Sequence, residues 1–138
     1  MMVDEIDERI ISLLKVNSRM TYVDIGNEVG LSEGAVRNRI QSLVASGVIR
    51  RFTVEVTPSM GVRALVMISV IPSVPTLEIS EQVEKLPGME RIYEVTGDYD
   101  IVSVFSSPNI EGINQSIEEV RMIDGVIKTN TIIVLRTI

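Results

Sequence analysis

The chain has 138 residues, enough for one ordinary domain or two small ones, and its 45% hydrophobic and 23% charged residues are typical of a globular protein. It contains no cysteine and no histidine, which excludes thiol chemistry, removes the commonest metal ligand and general base, and predicts no metal, cofactor or catalytic residue. The net charge of −6 argues against a nucleic-acid partner for the chain as a whole, but residues 32–53 carry four arginines against one glutamate.

Three helices are predicted in the first fifty residues. Asp4, Thr21 and Ser32 suit their N-caps, because a short polar side chain can accept a hydrogen bond from a free N–H group of the first turn. Gly30 and Gly47 suit the ends of the second and third helices. Apolar residues at helical spacing predict the buried stripes, which are Ile6, Ile10, Leu13 and Leu14, then Ile25 and Val29, then Val36, Ile40, Leu43 and Val44.

The short turn at Gly30-Leu31, with the small Gly26 where helices must approach closely, has the spacing of a helix-turn-helix. A three-helix bundle with solvated charges would give a similar pattern. The exposed face of the third helix favours DNA binding, because Arg can bond guanine and both Asn and Gln can bond adenine in the major groove. That face carries Gly34, Arg37, Asn38 and Gln41.

Three further arginines lie near that face. Arg39 is at the edge of the apolar stripe and is either a phosphate contact or a partner for an acid of the first helix. Alternation over residues 48–56 predicts a linker strand that ends at residues 57–58. Arg50 and Arg51 on that strand either grip the flanking phosphates or serve only solubility.

Beyond Gly61 the pattern predicts a βαββαβ order, which is the ferredoxin-like plan and makes the chain α+β. The predicted bounds are 62–71, 76–86, 89–97, 100–106, 109–123 and 126–138. Both faces of the first strand are apolar, whereas helices can cover only one face of such a sheet. The second face therefore predicts a homodimer through a two-fold axis, or a ring of dimers.

Several short motifs along the chain share their order and spacing with a known family. They are Asp4-Glu5-Ile6-Asp7, Leu31-Ser32, Arg39-Ile40, Gly47-Val48-Ile49 and Thr96-Gly97-Asp98-Tyr99-Asp100. In these the chain resembles the Lrp/AsnC family of leucine-responsive, or feast-famine, transcription regulators over nearly its whole length. The resemblance implies a winged helix-turn-helix, a ferredoxin-like effector domain, dimers that assemble into tetramers or octamers, double-stranded DNA as partner and an amino acid as effector.

We accordingly expect a DNA-binding domain at residues 1–50, a linker strand at 51–61 and an effector and oligomerisation domain at 62–138. Two sites follow from the resemblance. The base-facing part of the family's recognition helix corresponds to Ser32, Gly34, Arg37, Asn38 and Gln41. Its effector loop corresponds to Gly97, Asp98, Tyr99 and Asp100.

The effector loop also has a physical rationale. Backbone N–H groups around Gly97 can cradle an α-carboxylate, Asp98 or Asp100 can bind an α-ammonium group, and Tyr99 can wall the effector's side chain. The same four residues equally suit a tight connection between two antiparallel strands.

Two other functions stay open on sequence alone. An enzyme on the ferredoxin-like domain would have only carboxylates, Lys and Tyr for acid–base work, and no Gly-rich phosphate loop is present. An architectural protein would coat DNA without an effector, against which the acidic second half argues. The acidic N-terminus and the lack of a long apolar run predict a soluble, cytoplasmic protein that does not enter a membrane.

Overall fold

The structure is a computed structural model that describes residues 2–56 and 61–138. It divides into two compact units, Met1–Val56 and Thr57–Ile138. Three helices form the first unit: α1 (Glu5–Val16), α2 (Tyr22–Val29) and α3 (Glu33–Ala45). None of the helices in the described ranges is long and apolar enough to cross a membrane.

All three predicted caps begin their helices. Asp4 and Asp7 form a reciprocal capping box, in which the Asp7 N–H donates to Asp4 Oδ1 at 2.8 Å and the Asp4 N–H donates to Asp7 Oδ2 at 3.1 Å. Thr21 and Ser32 each accept a hydrogen bond from the N–H three residues later. The helices enclose a core of Ile10, Ile25, Val29, Val36, Ile40 and Leu43, each 9% exposed or less.

The turn between α2 and α3 depends on two glycines. Gly30 ends α2 with a φ of 74°, a left-handed conformation that side-chain-bearing residues rarely adopt. Gly26 is buried, its carbonyl accepts a hydrogen bond from the Leu31 N–H at 3.0 Å, and a Cβ atom on it would overlap the Leu31 carbonyl oxygen. The close approach expected at Gly26 is therefore present.

The second unit has the predicted βαββαβ order. Its elements are β1 (Val62–Val70), α4 (Thr76–Glu84), β2 (Met89–Glu94), β3 (Ile101–Ser107), α5 (Ile110–Arg121) and β4 (Val126–Ile133). The strands form an antiparallel sheet in the order β2-β3-β1-β4. The predicted α+β fold class is thus confirmed.

The two faces of this sheet differ in what covers them. Alternate residues of β1, such as Val66 and Ile68, are fully buried in a core with Phe105 and with residues of both α4 and α5. The opposite face carries half-buried Leu65, Met67, Val102 and Val104 and, on β4, an exposed Ile132. Because both helices pack on the first face, no element of residues 61–138 covers the second.

Several sequence predictions were wrong. Strand β2 ends at Glu94 instead of continuing to residue 97. The linker strand is absent from residues 48–56, where the chain bends and is then irregular; its expected end at residues 57–58 lies outside the described residues. Alternation shows which side chains could share a face, but a strand also needs a hydrogen-bonded neighbour. Strand β4 ends at Ile133 instead of continuing to residue 138, and Val44 is 45% exposed because it lies at the edge of the α3 stripe.

Candidate nucleic-acid interface and effector loop

The face of α3 opposite its core is open to solvent. Val36 and Leu43 are fully buried and Ile40 nearly so, because they recur on one side of a helix with 3.6 residues per turn. The predicted base-facing residues, Gly34, Arg37, Asn38 and Gln41, are all exposed. The side chains of Arg37, Asn38 and Gln41 offer the guanidinium and amide groups that bond base edges in the major groove.

Arg37 is exposed but held by two neighbours. Its Nη2 atom donates to Glu33 Oε1 at 2.7 Å, one turn earlier on α3. Its guanidinium carbon lies 5.5 Å from the ring centroid of Tyr22, the first residue of α2, in a cation–π contact. The spacing of Glu33 and Arg37 is visible in the sequence, whereas the contact with Tyr22 depends on how α2 and α3 pack.

Arg39 has a different environment from Arg37. Its Nη1 atom donates to Asp4 Oδ2 at 2.7 Å and to Asp7 Oδ1 at 3.0 Å, so it joins α3 to the first turn of α1. The hydrogen bond from Arg39, with that from the Asp7 backbone, lowers the pKa of Asp4, and the same acids raise the pKa of Arg39. The sequence left two roles for Arg39, and these contacts make it a partner for the acids of the first helix.

The start of α3 combines a cap with a bare backbone position. The Ser32 hydroxyl accepts from the Ala35 N–H at 3.2 Å and so caps α3, while its own O–H group can still donate a hydrogen bond. Apart from its chain neighbours and the backbone of its own helix, no atom of the described residues lies within 4 Å of where a Cβ on Gly34 would be. Packing within the chain therefore does not require glycine there, which leaves close approach by another molecule as a reason for it.

Arg50 and Arg51 follow α3 in irregular chain. Both are exposed, and neither forms an ion pair within residues 2–56 and 61–138.

The loop predicted to bind an effector joins β2 to β3. Gly97 has a φ of 106°, and the Val95 N–H donates to the Asp100 carbonyl at 2.9 Å to close the turn. Asp100 also fastens the loop to β1, since its Oδ2 atom accepts from the Val70 N–H at 2.8 Å and its own N–H donates to the Ile68 carbonyl. Of the two carboxylates predicted to bind an α-ammonium group, that of Asp100 is therefore already hydrogen-bonded to β1.

Asp98 and Tyr99 are the more available members of this loop. The Asp98 side chain is exposed and has no hydrogen-bond partner among the described residues, while its carbonyl accepts from the Ser69 hydroxyl at 3.4 Å. The Tyr99 ring is half-buried, and the Lys128 ammonium lies 5.4 Å from its centroid. Sequence reasoning missed Lys128, because only the pairing of Ser69 with Lys128 across β1 and β4 brings it to the loop.

No cluster of three or more His, Cys, Asp or Glu residues that could hold a metal ion occurs in the part of the chain that the structure describes. The loop offers backbone hydrogen bonds, the free carboxylate of Asp98 and the Tyr99 ring, and strand β4 adds the ammonium group of Lys128.

Family models match both halves of the chain. The model of the AsnC-type helix-turn-helix domain matches residues 3–44, and that of the Lrp/AsnC ligand binding domain matches residues 63–138. The HTH-type transcriptional regulator LysM of Saccharolobus solfataricus is 46% identical over 135 residues, covering 98% of this chain and 95% of LysM. The HTH-type transcriptional regulator FL11 of Pyrococcus furiosus is 35% identical over 135 residues, covering 96% of this chain and 89% of FL11.

Solved structures have the same fold. A feast or famine regulatory protein from M. tuberculosis, solved in complex with L-methionine, superposes with a TM-score of 0.84 at 24% identity, covering 99% of this chain and 94% of that one. AsnC of E. coli superposes with a TM-score of 0.76 at 23% identity, covering 99% of this chain and 95% of AsnC.

Proposed function

The chain belongs to the Lrp/AsnC family of transcription regulators, and from that premise we propose that it reads specific DNA sites with α3 and responds to an amino acid bound at residues 97–100. The observation that carries the DNA-binding part is the exposed polar face of α3. Arg37, Asn38 and Gln41 share that face, and Gly34 leaves the backbone bare near the start of the helix. A helix with these groups can enter the major groove and bond base edges.

The experiment is a comparison of two affinities, one for a DNA site obtained by in vitro selection and one for random duplex DNA. Arg37→Ala is expected to lower the ratio of these affinities by about 5- to 150-fold, corresponding to the 1–3 kcal/mol of a bidentate base contact. Arg50→Ala should weaken both affinities equally and reduce the salt slope by about one unit, as loss of a phosphate contact does. An unchanged ratio for Arg37→Ala would remove Arg37 from base reading.

We propose an amino acid as the effector because the loop offers complementary charges around an aromatic ring. Lys128 can bind an α-carboxylate, the free carboxylate of Asp98 can bind an α-ammonium group, and the Tyr99 ring lies 5.4 Å from the Lys128 ammonium. L-methionine in the related M. tuberculosis structure supports this class of ligand. Asp100 serves to hold the loop on β1.

A thermal-shift screen of the twenty L-amino acids tests the effector proposal. A true effector at about 100 times its dissociation constant should add roughly 2.7 kcal/mol to the unfolding free energy. Lys128→Met should abolish the shift, whereas Lys85→Met, which removes an exposed lysine after α4, should leave it intact. No shift with any amino acid would favour an effector-independent regulator.

The uncovered sheet face supports a homodimer, with tetramers or octamers as further assemblies. Leu65, Met67, Val102 and Val104 present a continuous apolar surface that the helices of the same unit do not cover. A second copy packed through a two-fold axis would bury it and would pair two recognition helices for a palindromic site.

We propose that the whole chain acts as a regulator and not as an enzyme, and that it acts in the cytoplasm. The relatives are transcriptional regulators, and the loop's groups are those of a binding site. Architectural coating of DNA is the second candidate, favoured only by the exposed Arg50 and Arg51, whose contacts carry no sequence information.

A further inference from the structure

Among contacts within residues 2–56 and 61–138, Arg37 is the one base-facing residue whose side chain is held from two sides. Glu33 Oε1 accepts from its Nη2 atom at 2.7 Å, and the Tyr22 ring lies 5.5 Å from its guanidinium carbon. Tyr22 is itself half-buried and packs against the core of the first unit, which restrains its ring. Neither Tyr22 nor Glu33 belongs to the base-facing set.

This arrangement restricts what Arg37 can contact. A guanidinium has five N–H donors, so the bond to Glu33 leaves donors free for the two acceptors of a guanine edge. An unrestrained arginine on an exposed helix can also contact a nearby phosphate. Such a contact forms with any DNA sequence and therefore does not discriminate between sites. The Glu33 carboxylate opposes that alternative, because it repels phosphates and keeps part of the Arg37 charge engaged.

We propose that Tyr22 and Glu33 are positioning residues that direct Arg37 to a base and away from the phosphates. This inference rests on the proposed base reading by Arg37. Its expected signature is in the ratio of specific to random-DNA affinity, since loss of positioning should strengthen random binding while weakening discrimination.

The test uses the full-length protein, with the site from in vitro selection and a random duplex of equal length as probes. Glu33→Gln and Tyr22→Leu should each lower the affinity ratio roughly tenfold, within the range of a base contact. Tyr22→Phe keeps the ring and should stay within about twofold of the unmodified ratio. Glu8→Gln, which removes one exposed charge from α1, should change both affinities together and leave the ratio unchanged.

Double variants separate positioning from a general charge effect. In an Arg37→Ala background, Glu33→Gln and Tyr22→Leu should lower the ratio no further, because the residue that they position is absent. Thermal unfolding of each variant shows whether Tyr22→Leu is folded. If Tyr22→Leu is unfolded, Tyr22→Phe and Glu33→Gln still test the proposal.

Two failures are distinguishable. If Arg37→Ala leaves the ratio unchanged, the proposed base reading is wrong at this residue and the positioning inference falls with it. If Arg37→Ala lowers the ratio but Glu33→Gln or a folded Tyr22→Leu retains it, or if their effects persist without Arg37, base reading stands and positioning is overturned.

Discussion

Replacement of Asp7 by alanine should destabilise the DNA-binding unit far more than its position in a first helical turn suggests. The Asp7 side chain is 5% exposed; its Oδ1 accepts from Arg39 at 3.0 Å and its Oδ2 from the Asp4 N–H at 3.1 Å. A hydrogen bond to a charged group contributes about 1.5–3 kcal/mol, and a lost capping interaction about 0.5–1 kcal/mol more. We therefore expect Asp7→Ala to lower the unfolding free energy by about 2–4 kcal/mol.

The matched control is Glu8→Ala, which removes the same charge from the next, exposed position of α1. It should cost no more than about 0.5 kcal/mol, because alanine also favours the helix. Urea unfolding followed by circular dichroism, with hydrogen exchange of α1 and α3 to localise the change, measures both. At about 4–8 °C per kcal/mol, Asp7→Ala should melt roughly 8–30 °C lower. Equal effects of the two variants would refute a buried tie between α1 and α3.

Four further outcomes follow from the structure. Gly26→Ala should lower the unfolding free energy by about 1–3 kcal/mol in urea unfolding, because its Cβ overlaps the Leu31 carbonyl oxygen. Gly34→Ala should raise the unfolding free energy by at most about 1 kcal/mol and yet weaken DNA binding in titrations. Hydrogen bonds from the Arg39 side chain and the Asp7 backbone lower the pKa of Asp4. The stability that Asp4 contributes is therefore present above its unfolded pKa of about 3.9 and lost as pH falls through the folded value, and Asp4→Asn should flatten that acid limb. Met67→Glu should convert a sedimenting dimer to monomer or aggregate, and a monomeric unmodified protein at micromolar concentration would contradict the dimer. Calorimetry should show that Asp98→Ala loses amino-acid binding; undiminished binding would place the site elsewhere.

The parts of the fold that sequence predicted are those that local chemistry determines. Asp4, Thr21 and Ser32 cap helices because the interaction involves residues three apart. The βαββαβ order follows from periodicity and from turn residues at the ends of elements. The prediction of a linker strand was wrong because residues 48–56 have the alternation of a strand but no pairing partner in the described chain.

In the candidate sites, too, local geometry could be predicted from sequence and long-range contacts could not. The exposed face of α3 follows from helical geometry alone, so Arg37, Asn38 and Gln41 could be chosen from sequence. The sequence left two roles for Arg39, and only the packing of α1 against α3 shows its bond to Asp7. Lys128 lies near Tyr99 because of the register in which β4 pairs with β1. Interactions between residues far apart in sequence need the tertiary structure.

In vitro selection from randomised duplex DNA, with the unmodified protein and with Arg37→Ala in parallel, tests base reading by α3 most directly. The unmodified protein should converge on a palindromic motif with half-sites about one helical turn apart. Arg37→Ala should return the same motif with preference lost at one base pair of each half-site. Failure of the unmodified protein to converge would contradict sequence reading by this face of α3, and identical motifs from both proteins would remove Arg37 from base reading.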